Sequence, residues 1–262
     1  IFKASRIIGK RFKLVHIFNR SEIIEVATFR SGLDKNNEGN LIKDQSGKII
    51  RDNIWGTIEQ DTYRRDFTVN ALYYCPVSKK IVGHKKGLRD IHQKNIVSIG
   101  DPIKRFSEDP VRGLRAIRFS SKLKFKIDKK VKEAIYEKGY LLSNISNARL
   151  FDEFCKIFLS GMAEKNFNKL FSYDLNKYLI STEPEKNEFT KKLITESLRN
   201  TDVRIKNVQS VTPGFLIAAL LWPELLEKSV MKNEINLRKF FRSMDVVLRK
   251  QQKITAIPRK FN

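Results

Sequence analysis

The first third of the chain places apolar and polar residues in short runs of the kind that form β-strands. Residues 12–18 (FKLVHIF) and 22–30 (EIIEVATFR) are rich in β-branched and aromatic side chains, and the polar NRS separates them. This spacing predicts a hairpin. Residues 31–56 are polar with scattered glycine and predict a long exposed loop. Residues 66–76 (DFTVNALYYCP) form a further apolar segment.

From about residue 103 the apolar residues recur at helical spacing instead. Residues 82–102 connect the two patterns and contain one strand-like piece, NIVSIG. The first predicted helix has Asp109 as its N-cap and Pro110 at its first helical position. A later one is predicted to begin at a capping Asn147 and to end at Gly161. The further helical segments are 128–144, 167–175, 187–200 and 212–230.

Three arginines lie on one side of the helix that follows Pro110. At 100° per residue, Arg112, Arg115 and Arg118 share a face of about 120°. Leu114 and Ile117 fall on the adjacent arc and are predicted to face the core. Like charges at this spacing repel each other by a few tenths of a kcal/mol per pair. Solvent, nearby acids or a bound anion must therefore offset the repulsion.

Two acids, Glu108 and Asp109, stand at the start of this helix, where the helix dipole favours carboxylates. One interpretation is an N-cap followed by a solvated basic face. The other is a binding site, because arginine forks suit phosphates and base edges, and a carboxylate accepts from an exocyclic amine. The spacing alone leaves both interpretations open.

A second cluster lies in residues 64–72 (RRDFTVNAL). Arg65 and Asn70 are placed to reach phosphates and ribose, or Arg65 forms a strand-end ion pair with Asp66. A third candidate is Glu25, which shares one face of its predicted strand with apolar residues. Glu25 is either a metal ligand or supporting acid at a cleft, or a residue on a solvent-facing edge.

The charge of the chain favours a polyanionic partner. Its 262 residues include 52 Lys and Arg against 29 Asp and Glu, which gives a net charge of +23. RNA, DNA or an anionic membrane would suit this charge, and the alternative is a solubility charge. Cys75 and Cys155 are read as free thiols, and the three histidines do not cluster with them, which argues against a zinc site. The apolar run at 215–222 is too short to span a bilayer.

Several segments together resemble the class II nucleotidyltransferases, which comprise the bacterial poly(A) polymerases and the CCA-adding enzymes. They are EVATFR, RRDFTVNALYY and GLRDIHQKNIVSIGDPIKRFSEDPVRGLRAIRF, and the likeness runs in order from residue 5 to about 160. RIIGKRFKLVHIF (6–18) resembles the signature of the poly(A) polymerases and favours them over the CCA-adding enzymes. The resemblance implies an α+β fold with a partial nucleotidyltransferase-type β head (1–81), an all-α neck (82–165) and a helical body (166–262).

The resemblance also implies roles for the acids and arginines around Pro110. In the family, the residues of the EDxxR motif select the incoming base. Asp109 and Arg112 would then bond the base edge, and Glu108 would hold the arginine in place. Arg115 and Arg118 would face phosphates.

Two further groups follow from the same resemblance. Arg65, Asp66 and Asn70 match the residues that bind the ribose and triphosphate of ATP, and Glu25 matches the supporting acid near the metal site. The family's Gly-Gly-x-Val-Arg-Asp segment and its Asp-x-Asp pair, which holds two Mg²⁺ ions, are expected before Ile1. The sequence given is therefore expected to be a fragment or a processed chain that does not catalyse alone.

The expected activity is the transfer of AMP from ATP to RNA 3′ ends in the bacterial cytoplasm. RNA-decay proteins are expected as partners, and a membrane is not. CCA addition to tRNA and a non-catalytic RNA-binding remnant remain the alternatives.

Overall fold

In the computed structural model, the chain divides into two units. The first comprises Ile1–Gln93 and Val97–Gly100, and the second comprises Lys94–Ile96 and Asp101–Asn262. The residues that the structure describes are 2, 4–8, 14–20, 22–31, 42–43, 49–51, 55–182, 188–231, 234–235 and 237–258.

The first unit begins with an antiparallel three-stranded sheet in the order β1-β2-β3. Val15 pairs with Val26 and Asn19 with Glu22, so the hairpin predicted for residues 12–30 is confirmed. Arg20 turns the chain between these strands with a positive φ of 54°. The strands of this unit are β1 (Ser5–Ile8), β2 (Leu14–Asn19), β3 (Glu22–Val26), β4 (Ile42–Lys43), β5 (Ile49–Arg51), β6 (Leu72–Cys75) and β7 (Lys80–Gly83).

Two sequence predictions for the first unit were incomplete. Strands β4 and β5 pair within the segment predicted as a loop, and the rest of residues 32–54 lies outside the described residues. A helix, α2 (Gly87–His92), lies in the segment that was predicted to be a connector. Its first turn has no side-chain cap, so the usual sequence signal for a helix start was missing.

Helix α1 (Ile58–Arg64) has the strongest local signal of the first unit. Thr57 and Gln60 form a capping box, in which each side chain accepts from the other residue's backbone N–H. A 3₁₀ turn (Thr68–Asn70) then leads into β6, which pairs antiparallel with β7. This short succession places the RRDFTVN segment between a capped helix and a hairpin.

The second unit is mainly helical, as the sequence predicted. Its core contains the fully buried side chains of Phe106, Leu114, Ile117, Phe154 and Phe158. The helices of this unit are α3 (Pro102–Glu108), α4 (Val111–Leu123), α5 (Lys129–Lys138), α6 (Asn147–Phe158), α7 (Ala163–Ser172), α8 (Glu188–Lys206), α9 (Pro213–Ser229) and α10 (Leu237–Gln252). The strands are β8 (Asn95–Ile96), β9 (Lys126–Ile127), β10 (Val230–Met231) and β11 (Glu234–Ile235).

Two predicted helix starts differ from the structure by one residue. Pro110 is the boundary residue of α4, and the Asp109 carboxylate accepts from the Val111 N–H at 3.3 Å. The boundary residue of α6 is Ser146, not Asn147. The Asn147 amide instead donates to the carbonyls of Gln252 and Lys253, a long-range contact that local sequence does not reveal.

Candidate functional site

A buried carboxylate organises the arginines of the first unit. Asp61, on α1, is only 2% exposed. It accepts from the Arg64 Nε at 2.8 Å, from the Arg65 Nη2 at 2.9 Å, from the Tyr73 hydroxyl and from the Arg30 N–H. Burial raises the pKa of this carboxyl, but the hydrogen bonds from Tyr73, Arg64 and Arg65 lower it more, so the pKa of Asp61 falls to about 2. Asp61 therefore stays ionised in the fold.

The same contacts fix the orientation of Arg65. Its Nε and Nη2 both donate to one oxygen of Asp61, and its guanidinium carbon lies 5.4 Å from the centre of the Tyr73 ring. Burial lowers the pKa of Arg65, and the hydrogen bonds that Arg65 donates to Asp61 raise it, with a net rise. The ion pair of Arg65 with Asp61 at 2.9 Å joins residues four apart on a helix. This spacing is visible in the sequence, although the ion pair predicted for Arg65 was with Asp66.

A second buried carboxylate, Asp90 on α2, supports the RRDFTVN segment. Its oxygens accept from the Thr68 hydroxyl at 2.8 Å and from the Arg89 Nη2 at 2.9 Å. The backbone of this segment is held as well, because the Asp66 carbonyl accepts from the Ile99 N–H at 3.1 Å. Asn70 ends the 3₁₀ turn half-buried, and its side chain has no hydrogen bond within residues 55–182 or the other described ranges. The Asn70 amide is thus available to a ligand.

Glu25 lies on β3 opposite His16 of β2. Its carboxylate is 68% exposed and lies 3.3 Å from the His16 Nε2. The structure thus places Glu25 on an exposed strand surface with a histidine partner. Its role as a supporting acid stays a prediction.

The arginine face of α4 is less exposed than a solvated basic face would be. Leu114 and Ile117 are fully buried, as predicted from their helical positions. Arg112 is only 8% exposed, the Arg115 side chain is 31% exposed, and Arg118 is half-buried. These charges are therefore held at positions where a bound anion would gain more from them than at a fully hydrated surface.

A buried acid faces this helix from α6. Glu153 is 2% exposed, and its Oε1 lies 2.8 Å from the Lys156 Nζ and 4.0 Å from the Arg115 Nε. The Arg118 guanidinium carbon lies 4.4 Å from the centre of the Phe119 ring. Glu153 and Phe119 thus restrict two of the three arginines that the sequence placed on one face.

Each of the two acids before α4 is held by an arginine. Glu108 pairs with Arg105 at 3.2 Å, and its role in holding Arg112 stays a prediction. Arg105 lies one turn earlier on α3, whereas Arg112 follows the break at Pro110. Asp109 accepts from the Arg149 Nη2 at 2.8 Å through one oxygen, while the other accepts from the backbone of α4.

The described residues contain neither a cluster of metal-binding side chains nor a membrane-spanning helix. No group of three or more His, Cys, Asp or Glu side chains with the geometry of a metal site occurs in this part of the chain. No helix in the described ranges is both long and apolar enough to cross a bilayer.

The comparisons with known proteins match the two units separately. Residues 1–97 match the family model described as "Poly A polymerase head domain". Residues 124–189 match the model described as "Probable RNA and SrmB-binding site of polymerase A". The chain belongs to the poly(A) polymerase family.

Curated relatives of this poly(A) polymerase family member fall into two groups. The chain is 42% identical over 237 residues to Poly(A) polymerase I of Haemophilus influenzae, covering 87% of this chain and 52% of that protein. It is 33% identical over 178 residues to the CCA-adding enzyme of Pediococcus pentosaceus, covering 68% of this chain and 43% of that protein. The chain thus spans about half the length of the curated relatives it matches.

The α+β fold of the family is also seen in solved structures. The CCA-adding enzyme of Bacillus stearothermophilus in complex with CTP matches with a TM-score of 0.55 and 25% identity, over 99% of this chain and 58% of that one. The predicted fold class is confirmed by this likeness.

Sequence reasoning missed four side chains that position the candidate residues in this poly(A) polymerase family member. They are Asp61, Asp90, Arg149 and Glu153. Only Asp61 had a detectable signal, since its arginine partners lie three and four residues away on one helix. The others act across elements far apart in sequence.

Proposed function

We propose that this chain forms part of an enzyme that transfers AMP from ATP to RNA 3′ ends. One observation carries the proposal. Identity to the Poly(A) polymerase I relatives is 39–42% over 87% of the chain, against 31–33% over 68–76% for the CCA-adding enzymes. In the reaction, a 3′-hydroxyl of RNA attacks the α-phosphate of ATP and pyrophosphate leaves.

The residues around Pro110 would select the adenine base. Asp109 has one carboxylate oxygen bound to Arg149 and the other bound to the start of α4, so its orientation is fixed. A carboxylate oxygen has two lone pairs, so either oxygen retains capacity to accept from the exocyclic amine of adenine. Arg112, buried on the next turn, would donate to the base edge. Glu108 would act on this site indirectly, by holding Arg105.

The first unit would bind the sugar and phosphates. Asp61 neutralises only one of the two guanidinium charges that it orients, so Arg64 and Arg65 keep a net positive charge for the triphosphate. Asn70 would reach the ribose, and Asp66 would support this segment. In the second unit, Arg115 and Arg118 would face phosphates.

The resemblance also implies Mg²⁺, and the described residues do not supply a site for it. The Glu25 carboxylate lies 3.3 Å from the His16 Nε2, and the described part of the chain has no carboxylate cluster beside it. We therefore assign no step of the reaction to a metal through the residues described.

RNA would be bound mainly by the second unit. Support comes from the match of residues 124–189 to a segment described as binding RNA and SrmB, and from the net charge of +23. We propose that the protein acts in the bacterial cytoplasm, with RNA-decay proteins among its partners.

The test is RNA extension by the complete product of the gene that encodes this chain, with each nucleoside triphosphate supplied separately. We expect long tails with ATP alone on an unstructured RNA. Addition limited to C, C and A on tRNA would assign the protein to CCA addition instead. No incorporation under any condition, with RNA binding retained, would leave a non-catalytic RNA-binding protein.

A further inference from the structure

Two tyrosines project from the second unit without being buried by it. Tyr136 lies on α5 and is 62% exposed, and Tyr140 follows one turn later and is 59% exposed. Tyrosine is enriched at binding interfaces, because its ring offers an apolar face and its hydroxyl a polar end.

Tyr136 is held in place although its ring is exposed. Its hydroxyl donates to the Ser172 carbonyl at 3.1 Å. Its ring lies 5.4 Å from the ring of Tyr173, at an interplanar angle of 42°. The end of α7 thus fixes Tyr136 at its hydroxyl and on one side of its ring. Binding a planar ligand would therefore cost little side-chain entropy.

The surroundings of the two tyrosines are basic. Residues 122–140 contain seven lysines and three acids, a net charge of +4. Six of the seven lysines are exposed, including Lys129, whose side chain is 90% exposed, and Lys132, which lies one turn before Tyr136 on the same helix. Lysine is depleted from the centres of protein–protein interfaces, whereas aromatic rings among lysines are typical of single-stranded nucleic acid sites.

We propose that Tyr136 and Tyr140 form a stacking platform for unpaired bases of single-stranded RNA. The exposed lysines of residues 122–132 contact the phosphates beside it. The proposal rests on the proposed function for the identity of its ligand and specifies how the RNA is bound. Because every base can stack on an aromatic ring, the platform binds RNA independently of its sequence.

The test measures binding of a fluorescein-labelled 15-nucleotide oligoadenylate by anisotropy at fixed salt, with this chain and no ATP present. We expect Tyr136→Ala to weaken binding by about tenfold and Tyr140→Ala by a similar factor. Tyr136→Phe keeps the ring and its contact with Tyr173 but loses the hydrogen bond to Ser172, and should keep most of the affinity. Tyr136→Leu keeps apolar bulk against Tyr173 but has no π face, and should bind like Tyr136→Ala.

The matched control is Phe215→Ala, which removes a 45% exposed aromatic ring from a stretch of α9 without charged neighbours in sequence. It should leave the affinity unchanged. A second measurement is photocrosslinking of RNA that contains 5-iodouridine, which should label Tyr136 or Tyr140 in the unsubstituted protein. Equal affinity of Tyr136→Ala, Tyr140→Ala and the unchanged chain would overturn the proposal, as would crosslinks confined to other residues.

These outcomes are independent of catalysis. An enzyme that extends RNA but binds oligoadenylate equally well without Tyr136 would retain the proposed function and lose the platform. If the chain binds RNA through Tyr136 but the protein adds no nucleotide, the platform is retained and the proposed function is lost.

Discussion

At the scale of single residues, Asp61 and Asp90 show how a few buried carboxylates fix the orientation of neighbouring arginines. Each accepts hydrogen bonds from an arginine and from a hydroxyl, which belongs to Tyr73 or to Thr68. A buried charge of this kind stabilises the fold only while its partners are present. Removing the carboxylate is therefore expected to change both the stability of the fold and the orientation of the arginine side chains.

We predict that Asp61→Asn lowers the free energy of unfolding by about 2 kcal/mol at pH 7. The pKa of Asp61 is lowered from its ordinary 3.8 to about 2, so the charged form stabilises the fold above about pH 4 and this contribution is lost as the pH falls through about 2. Urea unfolding at several pH values should show the difference between the two proteins narrowing between pH 4 and pH 2. Asp152→Asn, on an exposed position of α6, is the control, and a difference independent of pH would contradict the assignment.

The contact between Arg149 and Asp109 leads to a prediction about base choice. Arg149→Gln should lower the preference for ATP over CTP, measured as a ratio of kcat/KM, by about tenfold, because Asp109 loses the partner that fixes its orientation. The complete gene product is the protein to assay. Arg199→Gln removes a comparable exposed arginine–acid pair between α8 and α7 and should leave the ratio unchanged. An unchanged ratio in Arg149→Gln would exclude this positioning role.

At the scale of elements, α4 combines a buried apolar side with an arginine side. Its Gly113 is buried, but there is space beside it for a methyl group. A Cβ added to Gly113 would lie 3.6 Å from Ile135 Cγ1 and 3.8 Å from Phe106, which are ordinary contacts. Gly83 on β7 is the opposite case. Its φ is +128°, and an added Cβ would lie 2.2 Å from the Ala71 carbonyl oxygen.

We predict opposite effects for the same substitution at these two glycines. Gly113→Ala should raise the free energy of unfolding by about 0.5–1 kcal/mol, because alanine loses less backbone entropy in a helix. Gly83→Ala should lower it by about 2 kcal/mol or more, because the backbone must move. Chemical denaturation of both variants measures this directly. A loss of stability in Gly113→Ala would mean that the space beside α4 is smaller than described.

At the scale of the whole molecule, the net charge of +23 is the property most open to measurement. Binding to RNA through phosphates releases counterions, so the logarithm of affinity falls linearly with the logarithm of salt concentration. We predict a loss of about 10³ in affinity for single-stranded RNA between 50 and 200 mM salt, as expected for about seven phosphate contacts on a single strand. A peptide nucleic acid of the same sequence, which has a neutral backbone, should bind weakly at both concentrations. A flat salt response would contradict a phosphate-dominated interface.

The sequence predicted periodic structure well and tertiary partners poorly. The burial of Leu114 and Ile117 and the hairpin of β2 and β3 follow from helical and strand periodicity, which local residues determine. The short helix α2 was missed because it has no capping side chain.

The same contrast between what the sequence predicts and what it does not applies to the candidate site. Its arginines and acids are visible as motifs, but their pairings depend on how elements pack. Asp109 pairs with Arg149, which is 40 residues away in sequence. Sequence spacing cannot identify such a partner when the two residues lie on different elements.

The chain does not pass from the first unit to the second at one point. After Gln93, residues Lys94–Ile96 belong to the second unit and Val97–Gly100 to the first. The chain from Asp101 onward belongs to the second unit. Within the second unit β8 pairs with β9, while Ser98 pairs with Phe67 of the first. A recombination junction or a protease cut anywhere between Gln93 and Asp101 would separate a segment of at least one unit from the rest of that unit. A single crossover between relatives in this stretch would therefore combine residues from two sources within at least one unit.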